Sequence, residues 1–226
     1  MTSVGGSIFH RPKDRAVHAD AAHAGFHRGG VGDHVALLQV YNGWAESGFS
    51  TQWCHEAYVQ ARSLKRARDV RDQLLALMDR VEIPLESSGG DWDAVRHAVA
   101  AGYFCNGAQL QRDGSYRALK GKATTVHIHP SSGLAEAAPR WVVYAELVLT
   151  SKEYMRTVSE IKPGEEGQRE GGVCARARST HAHRPPLPSP PTEWLLEIAP
   201  HYYSRRELDD AAARKLPKGA GRAAAT

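Results

Sequence analysis

The chain has 226 residues, 42% of them hydrophobic, and a formal net charge of +4. That is enough for one large domain or two small ones with a real core, which excludes wholesale disorder, and the mildly basic balance suits an anionic partner without demanding one. Cys54, Cys105 and Cys174 are too far apart for a disulfide framework or a zinc signature, no apolar run reaches the ~20 residues that span a bilayer, and the first residues lack an apolar leader. The expectation is a soluble protein of a reducing, intracellular compartment.

Residues 1–32 are rich in Gly and His, with a short helix expected around 19–26. Asp33 stands as an N-cap before a helix over 34–46, where Val35, Leu38, Tyr41 and Ala45 share a stripe. Gly48 ends it and Ser50 caps the next. Cys54, Tyr58, Ala61, Leu64, Ala67, Val70, Leu74, Met78 and Val81 then recur at steps of three and four, which predicts one long amphipathic helix from 50 to about 81. Its outer face carries Arg62, Lys65, Arg66, Arg68 and Arg71. Two readings stand: a contact face for an anion, or a solvated face stitched by Lys65–Asp69 and Arg68–Asp72 pairs. Cys54 falls on the apolar side and reads as core. A third helix over 91–101 places Trp92, Val95 and Val99 inward, with Gly102 after it. Three helices with short connections form a compact bundle.

The period then switches from 3.6 to 2. Strands are expected over 103–111, 115–119, 126–129, 140–150, 153–161 and 194–198, with Asp113-Gly114 as a tight turn. Short strands at this spacing predict a small closed barrel. The fold class is therefore α+β: a helical bundle followed by an OB-like β-barrel. Residues 163–192, PGEEGQREGGVCARARSTHAHRPPLPSPPT, break the pattern as a low-complexity insert. After Arg205 a short helix leads into a Lys/Gly/Ala-rich tail expected to fray.

No GxxxxGK[ST] loop joins a strand to a helix, so this chain is not expected to bind or hydrolyse ATP by itself. His127 and His129 share a strand face but lack the further ligands a metal needs, and no nucleophile–base arrangement is legible. Neither catalytic nor metal-binding residues are assigned. Nucleic-acid chemistry fits better: small barrels grip single strands with cations for phosphates and flat rings for bases. The candidates are Tyr116, Arg117, Lys120, Lys122, His127, His129, Ser131 and Ser132, joined by Arg62, Lys65 and Arg66 of the basic helix. The alternative is an ordinary polar loop surface.

SIFHRPKD, DHVALLQVYNGWAESGFSTQWC, RSLKRARDVRDQL, GSYRALK, TVHIHPSS, PRWVVYAELVLTSKEYMR and EWLLEIAPHYY, in this order, cover nearly all of 3–218 outside the insert. Together they resemble the C-terminal region of DEAH-box RNA helicases, most closely a splicing member acting before the first step. The resemblance implies that 1–102 are most of a helical ratchet domain, truncated at its start. It makes 103–210 an OB-fold interrupted at 163–192, and 211–226 a flexible tail. It implies single-stranded RNA, spliceosomal proteins, a G-patch activator and the protein's own motor domains as partners, in the nucleus and without a membrane. ATP and magnesium would belong to motor domains that this chain lacks. Other readings are a protein-interaction module touching RNA little, and a stand-alone single-strand binder. Two departures from the family pattern suggest gene-model errors. Met1 lies within an internal family segment, and removal of 164–192 restores Lys-Pro-Glu-Trp, as a translated retained intron would. The rival is a genuine disordered loop.

Overall fold

The computed structural model describes residues 7–27, 30, 32–120, 124–161 and 192–213. In the helical half, α1 (Ala16–Phe26), α2 (Asp33–Glu46), α3 (Thr51–Glu56) and α4 (Ala61–Arg80) surround a core of Ile8, Val40, Trp44, Cys54, Val59 and Leu64. Cys54 is buried here, as its place on the apolar stripe predicts.

The long helix expected from 50 to 81 is two helices. Ser50 caps α3 by accepting the Trp53 N–H at 3.3 Å, as its position predicts. The turn then ends because Tyr58 takes φ +53° and Val59 forms an antiparallel bridge with Phe9. The His10 N–H donates to the Tyr58 carbonyl and the Gln60 N–H to the Ile8 carbonyl, both at 2.8 Å. These bonds come from a segment fifty residues upstream in the fold's first stretch, and they satisfy backbone groups that a continuous helix would pair internally. Neither Gly nor Pro marks the break in the sequence. On α4, Arg68 does not reach for Asp72: its guanidinium lies 5.1 Å from the Phe49 ring and 5.8 Å from the Trp44 ring.

The barrel strands are β1 (Gly107–Leu110), β2 (Tyr116–Ala118), β3 (Thr125–Ile128), β4 (Trp141–Leu149) and β5 (Glu153–Glu160). They close in the order β1-β2-β3-β5-β4, with β3 and β5 parallel and every other pair antiparallel. The β1–β2 turn has Gly114 at φ +81°, and Asp113 Oδ1 accepts the Ser115 N–H at 3.0 Å and its hydroxyl at 2.6 Å. Leu110, Tyr116, Val126, Val142, Met155 and Val158 fill the interior. On β4 the intervening Trp141 and Val143 are buried in a second core cluster, and on β5 Thr157 at φ +54° breaks the alternation between Met155 and Val158. A fully buried side chain of this size contributes about 1.5–3 kcal/mol.

Three helices cover one side of the barrel: α5 (Trp92–Gly102), α6 (Thr192–Ile198) and α7 (Arg205–Ala212). Asp91 caps α5 by accepting the Asp93 and Ala94 N–H groups. Contrary to the expected orientation, the fully buried residues of α5 are Arg96 and Ala100, while Trp92, Val95 and Val99 are half-buried. Arg96 is held by Asp93 and lies 3.8 Å from Glu160. The expected strand over 194–198 is the helix α6. Five strands already close the barrel and leave no edge for a sixth. Leu195 and Ala199, four residues apart, instead pack on Trp141 and Ile161. The short helix expected after Arg205 is α7, opened by a capping box of Ser204 and Glu207.

Apart from Thr192, which begins α6, the insert 163–192 falls outside the described residues, as does the tail from 214. Its flanks are informative. Ile161 and Leu195 belong to one core cluster, so the two flanks of the insert pack in the same place. Joining Pro163 to Glu193 by deleting 164–192 is therefore expected to keep the fold. Thermal unfolding should remain one cooperative transition, shifted by only a few degrees, because loop closure depends weakly on loop length. Loss of the transition would show that the insert is structural.

Candidate nucleic-acid interface

Strand register assembles the outer face. Arg117 on β2 lies opposite Thr125 on β3, and His127 on β3 lies opposite Tyr154 on β5. Arg156, two residues along β5, faces Glu146 on β4. Because Tyr116, Val126 and Met155 point inward, Arg117, Thr125, His127, Tyr154 and Arg156 point outward together. The Tyr154 ring centre is 6.1 Å from that of His127 and 5.6 Å from that of His129, the latter edge-to-face. The ring of His129 is oriented by Ser131, whose N–H donates to Nδ1 at 3.1 Å and whose hydroxyl lies 2.7 Å from the same atom. Nδ1 is thus an acceptor, and the neutral ring carries its proton on Nε2. Arg156 makes a partly exposed ion pair with Glu146 at 3.3 Å, and Arg117 is exposed.

Three flat rings between two guanidinium groups form a surface on which bases could stack and phosphates pair. Of the candidates read from sequence, Arg117, His127, His129 and Ser131 fall on it or at its edge. Three barrel candidates do not. Tyr116 is a core residue: its hydroxyl donates to the Pro139 carbonyl at 2.7 Å, and burial pushes its phenol well above the usual range. Ser132 is buried, and its hydroxyl oxygen accepts the Leu134 N–H at 3.2 Å, which stiffens the loop. Lys120 donates to both carboxylate oxygens of Glu207 at 2.8 Å and lies 5.7 Å from the Tyr202 ring centre. Lys120 and Ser204 together hold the Glu207 carboxyl down to about 2. Lys120 thus ties the barrel to α7 and is not a free phosphate ligand. Lys122 lies outside the described residues. Arg62, Lys65 and Arg66 are exposed on α4, in the helical half.

Tyr154, Arg156 and Thr125 were missed. The alternation in EYMRTVSE could have found the first two, since it sets Tyr154 and Arg156 on one face and Met155 on the other. Asp33 and His34 were read only as a helix start. Asp33 is the first residue of α2 and caps nothing in its own helix. Its Oδ1 accepts the Gly133 N–H at 3.0 Å and its Oδ2 the Val158 N–H at 2.8 Å. Beside it, His34 Nδ1 lies 2.8 Å from the Ser159 hydroxyl. Gly32 has φ +101°, and a Cβ there would lie 2.9 Å from Ser159 Cα, so only glycine permits this approach. One helix start thus fixes β5 and the loop after β3, two of the elements carrying the outer face.

This junction is sensitive to acid. Burial pushes His34 down to about 4, against the opposing pull of the Asp33 charge. Burial also lowers His27, whose Nδ1 lies 3.7 Å from Asp33. A depressed folded value means that the unfolded chain binds the proton more readily. The His34 contribution is thus fully present above pH ~6.5 and is lost as the pH falls through about 4. Urea unfolding between pH 7 and pH 4 is expected to show a loss of about 3 kcal/mol from this group. His34→Gln should flatten that part of the profile.

The strands of the closed barrel fall within the span of a family-model match. Residues 95–165 match the family model described as an oligonucleotide/oligosaccharide-binding (OB)-fold, and the closed five-stranded barrel inside that span is an OB fold.

Proposed function

We propose that this chain binds single-stranded RNA on the outer face of β2, β3 and β5. The observation that carries the proposal is Tyr154 flanked by His127 and His129, with Arg117 and Arg156 on the same face. Rings beside guanidinium groups suit bases strung along a phosphate chain better than a neutral sugar polymer. The five outward residues contribute two fixed cations, and the whole chain carries a net charge of +4.

On this reading the chain is the C-terminal accessory region of a DEAH-box RNA helicase acting in pre-mRNA splicing, and so nuclear. Support comes from the OB-fold match, a domain found at DEAH helicase C-termini, together with the ordered motifs of the resemblance. Residues 1–102 serve as the ratchet domain and 103–210 as the OB-fold. The chain's own residues grip and orient the strand. The nucleotide chemistry lies in motor domains outside this sequence, which bind ATP and magnesium. Spliceosomal proteins and a G-patch activator would meet the same region.

The test is salt-dependent binding of a labelled single-stranded oligonucleotide, followed by anisotropy. With two to four phosphate contacts, log K should fall against log salt with a slope of about −1 to −3. Duplex RNA should bind more weakly, because its bases are already stacked. Absence of binding at low salt would favour a protein-interaction module.

A further inference from the structure

The helical half leaves one apolar surface open. Helices α2, α4 and α5, with the 85–90 loop, surround a groove of about 1330 Å³ whose walls include Leu37, Tyr41, Ala67, Trp92 and Val95. That volume exceeds the ~300–1,000 Å³ usual for small-molecule pockets. A helix about 10 Å across would fill it with roughly two to three turns.

The groove continues along α4. Ala67, Arg71, Leu74, Met78 and Val81 follow one another at steps of three or four, so a single stripe runs from the groove to the helix end. Leu74, Leu77 and Val81 are 51–64% exposed, and Ile83 and Leu85 in the following loop are 54% and 67% exposed. Leu85 also lines the groove, which closes the circuit. Isolated exposed leucines are ordinary, but a connected seam that opens into a groove marks an interaction surface.

Charge decides what covers it. At 100° per residue, Leu64 and Arg68 fall on the side of α4 turned to Trp44 and Phe49. The opposite edge of the stripe carries Arg66, Arg62 and Arg80, with Arg71 within the groove wall. Asp69 falls beside Arg62 and Arg80, Arg71 lies 3.7 Å from Asp72, and Glu86 lines the groove, so the open edge of α4 is net cationic through three arginines against one aspartate. We propose that the seam is the docking site for an amphipathic helix of another protein segment, whose apolar residues recur at i, i+3, i+4 and i+7 between acidic flanks. Its leucine-like face would enter the groove at Trp92 and Val95 and continue over Leu74 and Leu77. Its carboxylates would meet Arg62, Arg66 and Arg80. This surface is distinct from the barrel face and does not depend on RNA binding there.

The probes are two fluorescein-labelled 16-residue helical peptides, identical in a Leu stripe and flanked by Glu in one and by Lys in the other. Anisotropy with the full chain should show saturable binding of the Glu peptide, at least tenfold tighter than the Lys peptide. Leu74→Asp and Leu77→Asp should each weaken it tenfold or more, and Arg66→Glu should narrow the preference between peptides. All three positions are exposed, and circular dichroism at matched concentration checks that the variants remain folded. Equal binding of both peptides, or no binding of either, overturns the proposal. So does sedimentation showing a dimer that Leu77→Asp dissociates, since the seam would then be covered by a second copy. Competition of the Glu peptide by single-stranded RNA, abolished by Arg66→Glu, would overturn it too by making the seam an RNA surface.

Discussion

Tyr154→Ala is expected to weaken single-stranded RNA binding by about tenfold while leaving the unfolding transition nearly unchanged. The ring lies on the outside of β5, opposite His127 and beside His129, and its neighbour Met155 rather than Tyr154 fills the barrel. Removing the ring costs little core packing, but it takes away the stacking partner for one base. Base–aromatic stacking is worth about 1–3 kcal/mol, or roughly 5- to 150-fold in affinity. Tyr154→Phe should keep most of the binding, because the π-face rather than the hydroxyl does the stacking. Arg117→Ala should act differently, reducing the salt slope by just under one unit without altering base preference. If Tyr154→Ala binds as tightly as the parent at low salt, the strand does not run over this face.

The largest stability loss is expected at Asp33. Asp33→Ala removes the acceptor of the Gly133 and Val158 N–H groups, which join α2 to the barrel across the chain. The Asp33 side chain is only 11% exposed, so water cannot readily replace it. Hydrogen bonds to a charged acceptor contribute about 1.5–3 kcal/mol each, and the stranded donors add a desolvation cost. A loss of about 3–4 kcal/mol is expected in urea unfolding at neutral pH. Asp33→Asn keeps one acceptor oxygen and should lose about half as much. Hydrogen exchange should locate the damage, with faster exchange at Gly133 and Val158 than in the α3–α4 core. A loss below ~1 kcal/mol would mean that the helical half and the barrel hold together by apolar packing alone.

The barrel was the most readable part of the chain. Strand alternation with a Gly turn is a local signal, and each of β1 to β5 overlaps an expected strand. The misreadings have one physical origin. The apolar spacing from Cys54 to Val81 is continuous, yet the helix breaks at Tyr58 because residues 8–10 bond to that turn. WLLEI carries strand-like side chains, yet it is a helix because the closed barrel offers no partner edge. In both places a distant segment overrides a local preference.

The candidate site divides in the same way. Alternation alone sets His127 and His129 on one face and puts Tyr116 and Arg117 on opposite faces. Tyr116, one residue from Arg117, looked equally suited to stacking and is in the core, because the register sets which residues point inward. Lys120 looked free because its partner Glu207 arrives from 87 residues away on α7.

The amino-acid order by itself determined the two-part α+β architecture, the Asp113-Gly114 turn, the cap at Ser50, and the basic face of α4. These follow from interactions between residues a few positions apart, which periodicity records. Only the tertiary structure decided that β5 lies beside β3 and so brings Tyr154 to His127, that Asp33 and His34 bind helix to barrel, and that Lys120 is already paired. It also left the seam on α4 open. Each depends on groups brought together across tens to more than a hundred residues, and burial and pairing at that distance leave no period to read.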